Sequence, residues 1–311
     1  MRADEMDPQA AAAVERQSRI PIPHNRYALK LFRGLMQGVS LLRNRNLPDV
    51  GATADATIPG PDGDLDARLS LPDGDGPFPT VVFFHGGGFV FGTVETHEWL
   101  CRHLANDSGC GVLSVEYRLA PEHPFPAAVE DAYAAVEWAS EHTDALFGTG
   151  RVAVAGDSAG GNLAAVVSLM AAKQDGPDIA YQTLLYPGVG VDPDQRSVAE
   201  NEGIVLSRAD IEWFGDCYYG NDIHRRNPYA DPTNAADVSG VPPATVVTAG
   251  FDPLRDGGKR CADQLAADGV DTRHVNYDDM VHGFLTMREV DTARDGIRDV
   301  AGDLGNALYD G

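Results

Sequence analysis

Lysine is scarce in this sequence: it occurs only at Lys30, Lys173 and Lys259, and the other basic residues are arginines. Lys and Arg together number 24 against 47 Asp and Glu, which gives a formal net charge of −23 at pH 7. Nucleic acid is a poor partner for such a chain, because phosphate contacts are made by basic side chains. An anionic membrane surface is disfavoured for the same reason.

The acidic, lysine-poor composition is typical of salt-adapted proteins, in which dense carboxylates stay hydrated while salt screens their mutual repulsion. We therefore expect a halophilic protein. An ordinary acidic cytoplasmic enzyme is the alternative.

Cysteine is also rare, and long apolar runs are absent. Cys101, Cys110, Cys217 and Cys261 show no metal-type spacing, so we expect structural thiols and no metal site. No window approaches about 18 consecutive apolar residues, which predicts no stable membrane insertion. Residues 1–16 lack the basic and apolar regions of a secretory signal, so we expect a cytoplasmic location.

What the chain does contain is an alternation of short apolar runs with alanine-rich segments of helical periodicity, such as 127–141 and 162–173. Strands that are apolar throughout and separated by helices predict an α/β fold, with a mostly parallel central sheet and helices on both faces. Segments 55–58 and 67–71, joined by the turn-rich 59–63, predict an antiparallel hairpin at the sheet edge. The predicted sheet strands are 80–84, 111–117, 151–155, 181–186, 244–249 and 272–277.

Two segments do not fit this alternation. Residues 1–50 precede the first strand and contain the amphipathic stretch 27–42, and residues 188–228 lie between two predicted strands. A long excursion within a compact domain is usually a lid or cap. We therefore divide the chain into an N-terminal helical part of a cap, a first core part, a cap insertion and a second core part. The boundaries of these four parts are 1–50, 51–187, 188–228 and 229–311.

The sequence Gly156-Asp157-Ser158-Ala159-Gly160 matches the G-x-S-x-G nucleophile elbow. This motif requires a strand before it and a helix after it, and the predicted strand 151–155 and helix 161–173 supply both. A helix that begins beside the serine also directs free N–H groups at a developing oxyanion.

A glycine-rich loop, His85-Gly86-Gly87-Gly88-Phe89, follows the predicted strand 80–84. Glycines allow backbone N–H groups to approach a tetrahedral intermediate closely, so this loop and Ala159 are candidates for an oxyanion hole. A phosphate loop is the alternative, but its lysine is missing and the G-x-G-x-x-G spacing fails.

A serine nucleophile needs a base, and the base needs an orienting carboxylate. In α/β-hydrolases the chain order is serine, acid, histidine. His282 lies in a predicted loop, whereas His274 lies inside a predicted strand. Asp252 follows a predicted strand at once, which favours it as the acid. Three rivals for the acid are Asp256, Asp278 and Asp279.

The combined motifs resemble the hormone-sensitive-lipase-like family of carboxylesterases within the α/β-hydrolase fold, from about Phe78 to the C-terminus. The matching motifs are HGGG at 85–88, YRLAPE at 117–122, GDSAGG at 156–161, DPLRD at 252–256 and HGF at 282–284.

This resemblance implies a helical cap and an esterase that acts on short- to medium-chain esters without a cofactor. By position it implies a triad of Ser158, Asp252 and His282. The implied oxyanion donors lie at Gly86, Gly87, Gly88 and Ala159. The implied partner is a small-molecule ester, and a homodimer through an edge strand near the C-terminus is a family-level expectation.

Several assignments stay open from the sequence. An amidase or acyltransferase uses the same triad, and non-catalytic receptors exist on the same scaffold. We expect Asp157 to be a structural hydrogen-bonding residue and His85 to hold its own loop. Arg118 and Glu122 are expected to form an ion pair. Four aromatic residues could line an acyl pocket or pack the cap: Phe89, Trp213, Phe214 and Phe284.

Overall fold

The structure of the protein is a computed structural model, which describes residues 1–17 and 20–310. Its strands form one eight-stranded sheet in the order β1-β2-β4-β3-β5-β6-β7-β8. Strand β2 is antiparallel to both of its neighbours, and all other neighbouring pairs are parallel. The strands are β1 (Ala52–Gly60), β2 (Gly63–Leu71), β3 (Phe78–Phe84), β4 (Gly111–Val115), β5 (Gly148–Asp157), β6 (Ile179–Leu185), β7 (Ala244–Phe251) and β8 (Thr272–Val281).

Helices cover both faces of this sheet, which confirms the predicted α/β-hydrolase architecture. The helices are α1 (Pro8–Gln17), α2 (Arg26–Arg43), α3 (Val94–Ser108), α4 (Ala127–Glu141), α5 (Ala159–Lys173), α6 (Arg196–Glu200), α7 (Arg208–Tyr219), α8 (Arg255–Ala267) and α9 (Asp291–Tyr309). Short 3-10 turns lie at Asn44–Asn46, Thr143–Leu146, Asp222–Arg226, Pro232–Asn234 and Phe284–Thr286.

Strand β3 shows why the sheet strands are apolar at every position. Val82 and Phe84 join the apolar cluster formed with α4, α5 and α8, whereas Val81 and Phe83 join the cluster formed with α3 and α9. Successive side chains of a strand point to opposite faces, so a strand with helices on both sides buries all of them.

The predicted edge hairpin is present, as β1 and β2. At the other edge, β8 runs four residues beyond its predicted end. The backbone N–H groups of Ala3 and Asp7 donate to the carbonyl oxygens of Asp278 and Asp279, so the N-terminal segment covers this part of the edge. The two aspartates obscured the strand in the sequence, because their side chains are polar while their backbone is paired.

The segment 188–228 packs against α2 through a third apolar cluster. Leu29 of α2 lies there with Val198, Leu206, Ile211 and Phe214. Helix α1, in contrast, places Ala10 and Ala13 in the cluster with α9. Within the predicted N-terminal part of the cap, α2 therefore contacts the cap insertion, and these two residues of α1 pack with the core.

The prediction that Arg118 and Glu122 form an ion pair is wrong. Arg118 instead binds the buried carboxylate of Asp131, 2.8 Å away, and Glu122 binds Arg33 of α2 at 2.9 Å. The second pair ties α2 to the core.

Helix α2 offers a matched pair of substitutions. Leu29 is fully buried, whereas Leu31 is 78% exposed. We expect Leu29→Ala to lower the free energy of unfolding by about 3 kcal/mol, because it leaves a cavity between α2 and segment 188–228. We expect Leu31→Ala to change it by less than about 0.5 kcal/mol. Urea denaturation measures both, and equal effects of the two substitutions would contradict this packing.

Candidate active site

Ser158 occupies the turn between β5 and α5. Its backbone has φ 55° and ψ −116°, a strained conformation for a residue with a side chain. The turn is tight because α5 starts directly against the end of β3. A Cβ atom at Gly160 would collide with the carbonyl oxygen of Phe84, so only glycine fits there.

Ser158, His282 and Asp252 form one chain of hydrogen bonds. His282 Nε2 lies 2.9 Å from Ser158 Oγ, and His282 Nδ1 lies 2.9 Å from Asp252 Oδ2. The three residues directly follow β5, β8 and β7. The carboxyl ends of these parallel strands share one edge of the sheet, where sites of open α/β sheets are found.

The alternative acids and the alternative histidine lie elsewhere. Asp256 accepts a hydrogen bond from the Ser197 backbone, and Asp278 binds the N-terminal amine. His274 contacts Thr248 Oγ1. Asp252 Oδ1 additionally accepts the N–H of Leu254 at 2.7 Å, which fixes the carboxylate that faces His282.

The environment of His282 favours its protonated form. Burial alone would lower the pKa of His282, but the charge and hydrogen bond of Asp252, with a smaller contribution from Asp157, outweigh it and hold this pKa above its ordinary value. A base of this kind is neutral, and so able to accept a proton, only above that raised pKa.

The backbone amides of the glycine loop differ in whether the protein itself supplies a hydrogen-bond acceptor. The N–H of Gly86 donates to Asp157 Oδ1 at 2.7 Å and is thereby used within the protein. The N–H groups of Gly87 and Gly88 have no acceptor among residues 1–17 and 20–310. Ala159 is the first residue of α5, and its N–H has no acceptor within the helix. Three of the four predicted donor positions therefore keep a free amide.

A buried polar network lies beneath this loop. Asp157 contacts His97 Nε2 at 3.1 Å, and its pKa lies below the usual range because His97 outweighs the opposing effect of burial. His85 Nδ1 lies 2.9 Å from the Gly86 carbonyl oxygen, and Tyr117 donates to the His85 carbonyl oxygen at 2.7 Å. Burial lowers the pKa of His85 to about 3. Asp157 and His85 thus both hold the loop, as expected, whereas His97 carried no sequence signal.

Two of the predicted aromatic residues border the glycine loop. Phe89 stacks on Tyr218 with ring centroids 3.7 Å apart. Phe214 lies directly over Gly88, since a Cβ atom there would be 2.7 Å from its ring. Both rings belong to contacts between the loop and α7.

The other two aromatic residues are placed differently. Trp213 is half-buried and stacks on His24, 5.1 Å away. Phe284 is fully buried against Tyr186 and Tyr277, in the core beneath His282. A side chain with no exposed surface offers none to a substrate in this conformation, so Phe284 supports the His282 loop instead.

All four cysteines are free thiols. Within the described part of the chain, no three His, Cys, Asp or Glu side chains are grouped as metal ligands. No helix in residues 1–17 and 20–310 is long and apolar enough to cross a bilayer.

Known proteins resemble this chain over most of its length. A family model described as the alpha/beta hydrolase fold matches residues 81–286. The carboxylic ester hydrolase LipN of Mycobacterium tuberculosis is 46% identical over 243 residues, which are 75% of this chain and 64% of LipN, slightly less than two thirds of that relative. The arylesterase of Saccharolobus solfataricus is 35% identical over 268 residues, which are 83% of this chain and 87% of the arylesterase.

A solved structure shows the same fold along nearly the whole chain. The hyperthermophilic esterase from the archaeon Pyrobaculum calidifontis superposes with a TM-score of 0.91 at 39% sequence identity, covering 97% of this chain and 98% of the esterase. The chain therefore belongs to the hormone-sensitive-lipase-like carboxylesterase family of the α/β-hydrolase fold.

Proposed function

We propose that this protein is a carboxylesterase that hydrolyses short- to medium-chain carboxylic esters through an acyl-enzyme intermediate. The observation that carries the proposal is the hydrogen-bonded chain from Ser158 through His282 to Asp252. The esterase relatives support the reaction class.

In the first half-reaction, Ser158 Oγ attacks the ester carbonyl carbon while His282 Nε2 takes its proton. Asp252 keeps the other imidazole proton on Nδ1, so that Nε2 is the free base. The oxyanion accepts hydrogen bonds from the free amides of Gly87, Gly88 and Ala159. When the tetrahedral intermediate collapses, His282 gives its proton to the departing alkoxide, and the alcohol leaves.

In the second half-reaction, His282 Nε2 removes a proton from water, which attacks the acyl-enzyme carbonyl carbon. The same amides bind the second oxyanion; its bond to Ser158 Oγ then breaks, His282 returns the proton to Oγ, and the carboxylic acid leaves. Each amide typically lowers the barrier by about 3 kcal/mol. Gly86 takes no part in this step, because Asp157 already accepts its N–H.

The acyl chain would be bounded by apolar side chains near the glycine loop. We propose Phe89 and Phe214 as the inner wall and Trp213 as a more distant part of the cap, which consists of α2 and residues 188–228. A wall of a few aromatic rings beside the glycine loop suits a short or medium chain.

The nucleophile can be tested directly. We expect Ser158→Ala to reduce kcat for p-nitrophenyl esters by at least about a thousandfold, because no acyl-enzyme can form. A ladder of acyl lengths should give the wild-type protein a maximum at short or medium chains. The melting temperature of the variant is the control for folding. Full turnover in a folded Ser158→Ala protein would exclude this residue as the nucleophile.

The pH dependence follows from the raised pKa of His282. Because protonated imidazole cannot act as the base, kcat/KM should fall as the pH drops through a value above 6.5, with a slope of one proton. Initial rates with a p-nitrophenyl ester between pH 5 and 9 measure this limb. An acid limb centred below pH 6 would contradict the proposed interaction with Asp252.

We further propose that the fold is salt-adapted, on the net charge of −23. The melting temperature should rise between 0.1 and 2 M KCl, because the Debye length shrinks from about 10 Å to about 3 Å or less and screens the carboxylates from one another. Differential scanning calorimetry gives the midpoints, and sucrose of matched osmolality controls for solute exclusion. A midpoint independent of KCl is incompatible with this proposal.

The cytoplasmic location and the homodimer stay predictions. For the homodimer, the structure limits which edge is available. Met1, Ala3 and Asp7 cover β8 near Asn276, Asp278 and Asp279. A second copy would therefore pair with the first residues of β8, from Thr272 onward.

A further inference from the structure

Helix α2 has two apolar faces, and only one of them is covered by the protein. Leu29 and Phe32 point into the molecule, whereas Tyr27, Leu31, Leu35 and Leu42 are 90%, 78%, 50% and 60% exposed. The four exposed residues are spaced four, four and seven positions apart, so they lie along one side of the helix. We call them the outer face of α2.

Exposed large hydrophobic side chains are concentrated in α2. Among residues 1–17 and 20–310, eleven large hydrophobic side chains are exposed, and six of them belong to this helix. Isolated exposed apolar residues need no explanation, but a contiguous patch marks an interaction surface.

The segment that contains α2 is positively charged, opposite in sign to the protein as a whole. Residues 20–48 contain five Arg and Lys residues and no Asp or Glu, in a chain of net charge −23. Arg26 and Lys30 are exposed and flank the outer face. Within the described residues, neither of them is in an ion pair.

Two carboxylates that contact this helix or its neighbours, Glu122 and Glu289, are already paired with arginines. Glu122 binds Arg33 at 2.9 Å. Glu289, near the end of α2, binds Arg16 at 2.7 Å and Arg43 at 3.3 Å. Neither of these two acids forms an ion pair with Arg26 or Lys30.

We propose that the outer face of α2 binds the surface of an anionic lipid bilayer, with the helix lying parallel to it. The apolar side chains would enter the boundary between headgroups and acyl chains, while Arg26 and Lys30 bind lipid phosphates. The remote carboxylates repel such a surface only weakly, because the Debye length is about 8 Å at physiological ionic strength.

Charge complementarity selects this occupant over a second copy of the chain. In a twofold dimer through this face, each helix would meet the same basic helix of its partner. Two helices that each carry Arg26 and Lys30 and no acid would then be brought together across an apolar contact, whereas lipid phosphates supply the opposite charge.

The docked helix is connected to the active-site loop. Arg33 of α2 donates to the carbonyl oxygens of Val90 and Ala120, at 2.6 Å and 2.7 Å. Val90 lies two residues after Gly88. Docking would therefore hold the cap side of the molecule, next to Ser158, against the lipid.

Vesicle flotation tests this surface without depending on hydrolysis, because the Ser158→Ala protein can be used throughout. In 150 mM KCl, where the Debye length is about 8 Å, we expect binding to vesicles of equal parts phosphatidylglycerol and phosphatidylcholine, and much weaker binding to phosphatidylcholine alone. Leu31→Asp combined with Leu35→Asp should weaken binding at least about tenfold, by loss of apolar burial. Arg26→Glu combined with Lys30→Glu should weaken it about fivefold or more for each charge.

Two matched controls lie away from α2. Phe147→Asp removes an apolar side chain that is 64% exposed, and Lys259→Glu reverses an exposed lysine. Both should bind as well as the parent protein, and all variants should keep its melting temperature. The proposal is overturned if the parent protein does not prefer anionic vesicles, or if the controls lose binding equally. A dimer that Leu31→Asp dissociates, with no vesicle binding, would assign the face to a second copy and overturn it as well.

Discussion

The buried carboxylate of Asp157 holds together the two halves of the proposed active site. A buried charge is costly unless it is paired and hydrogen-bonded, and Asp157 meets this requirement with the N–H of Gly86 and the ring of His97. The first partner belongs to the loop after β3, and Asp157 itself ends β5. One compensated charge therefore fixes the distance between Ser158 and the free amides of the glycine loop, which the proposed oxyanion binding requires.

The parallel sheet supplies the rest of the site. Ser158, Asp252 and His282 are far apart in sequence, but each directly follows a strand, and neighbouring parallel strands end at the same edge. Helices on both faces make the strands rigid, so the three side chains are positioned by the core rather than by flexible loops. The bulky Phe284 beneath His282 extends this support into the loop itself.

The sequence allowed prediction of the sheet, both hairpin strands and α4, because apolar periodicity follows directly from burial on one or two faces. It also located Asp252 and His282, since position after a strand is a local property. The partner of Arg118 was missed because Arg118 lies in a loop and Asp131 lies in the following helix, α4. No sequence periodicity relates a loop residue to a helix residue. His97 was missed for a similar reason: its contact with Asp157 depends on how α3 packs against β5, which no short motif encodes.

The total charge of the chain disfavours an anionic membrane surface, whereas the local charge of α2 favours one. The two inferences differ because they count charge over different parts of the molecule. Averaged over the chain, a net charge of −23 opposes an anionic surface. A bilayer, however, interacts with the residues within roughly one Debye length of it, and for the outer face of α2 those include Arg26 and Lys30, which are in no ion pair among the described residues. The sequence already contains an acid-free stretch from residue 20 to 48, but only the structure separates its buried apolar residues, such as Leu29, from its exposed ones, such as Leu31. Amphipathic periodicity alone cannot make that distinction when a helix is apolar on two sides.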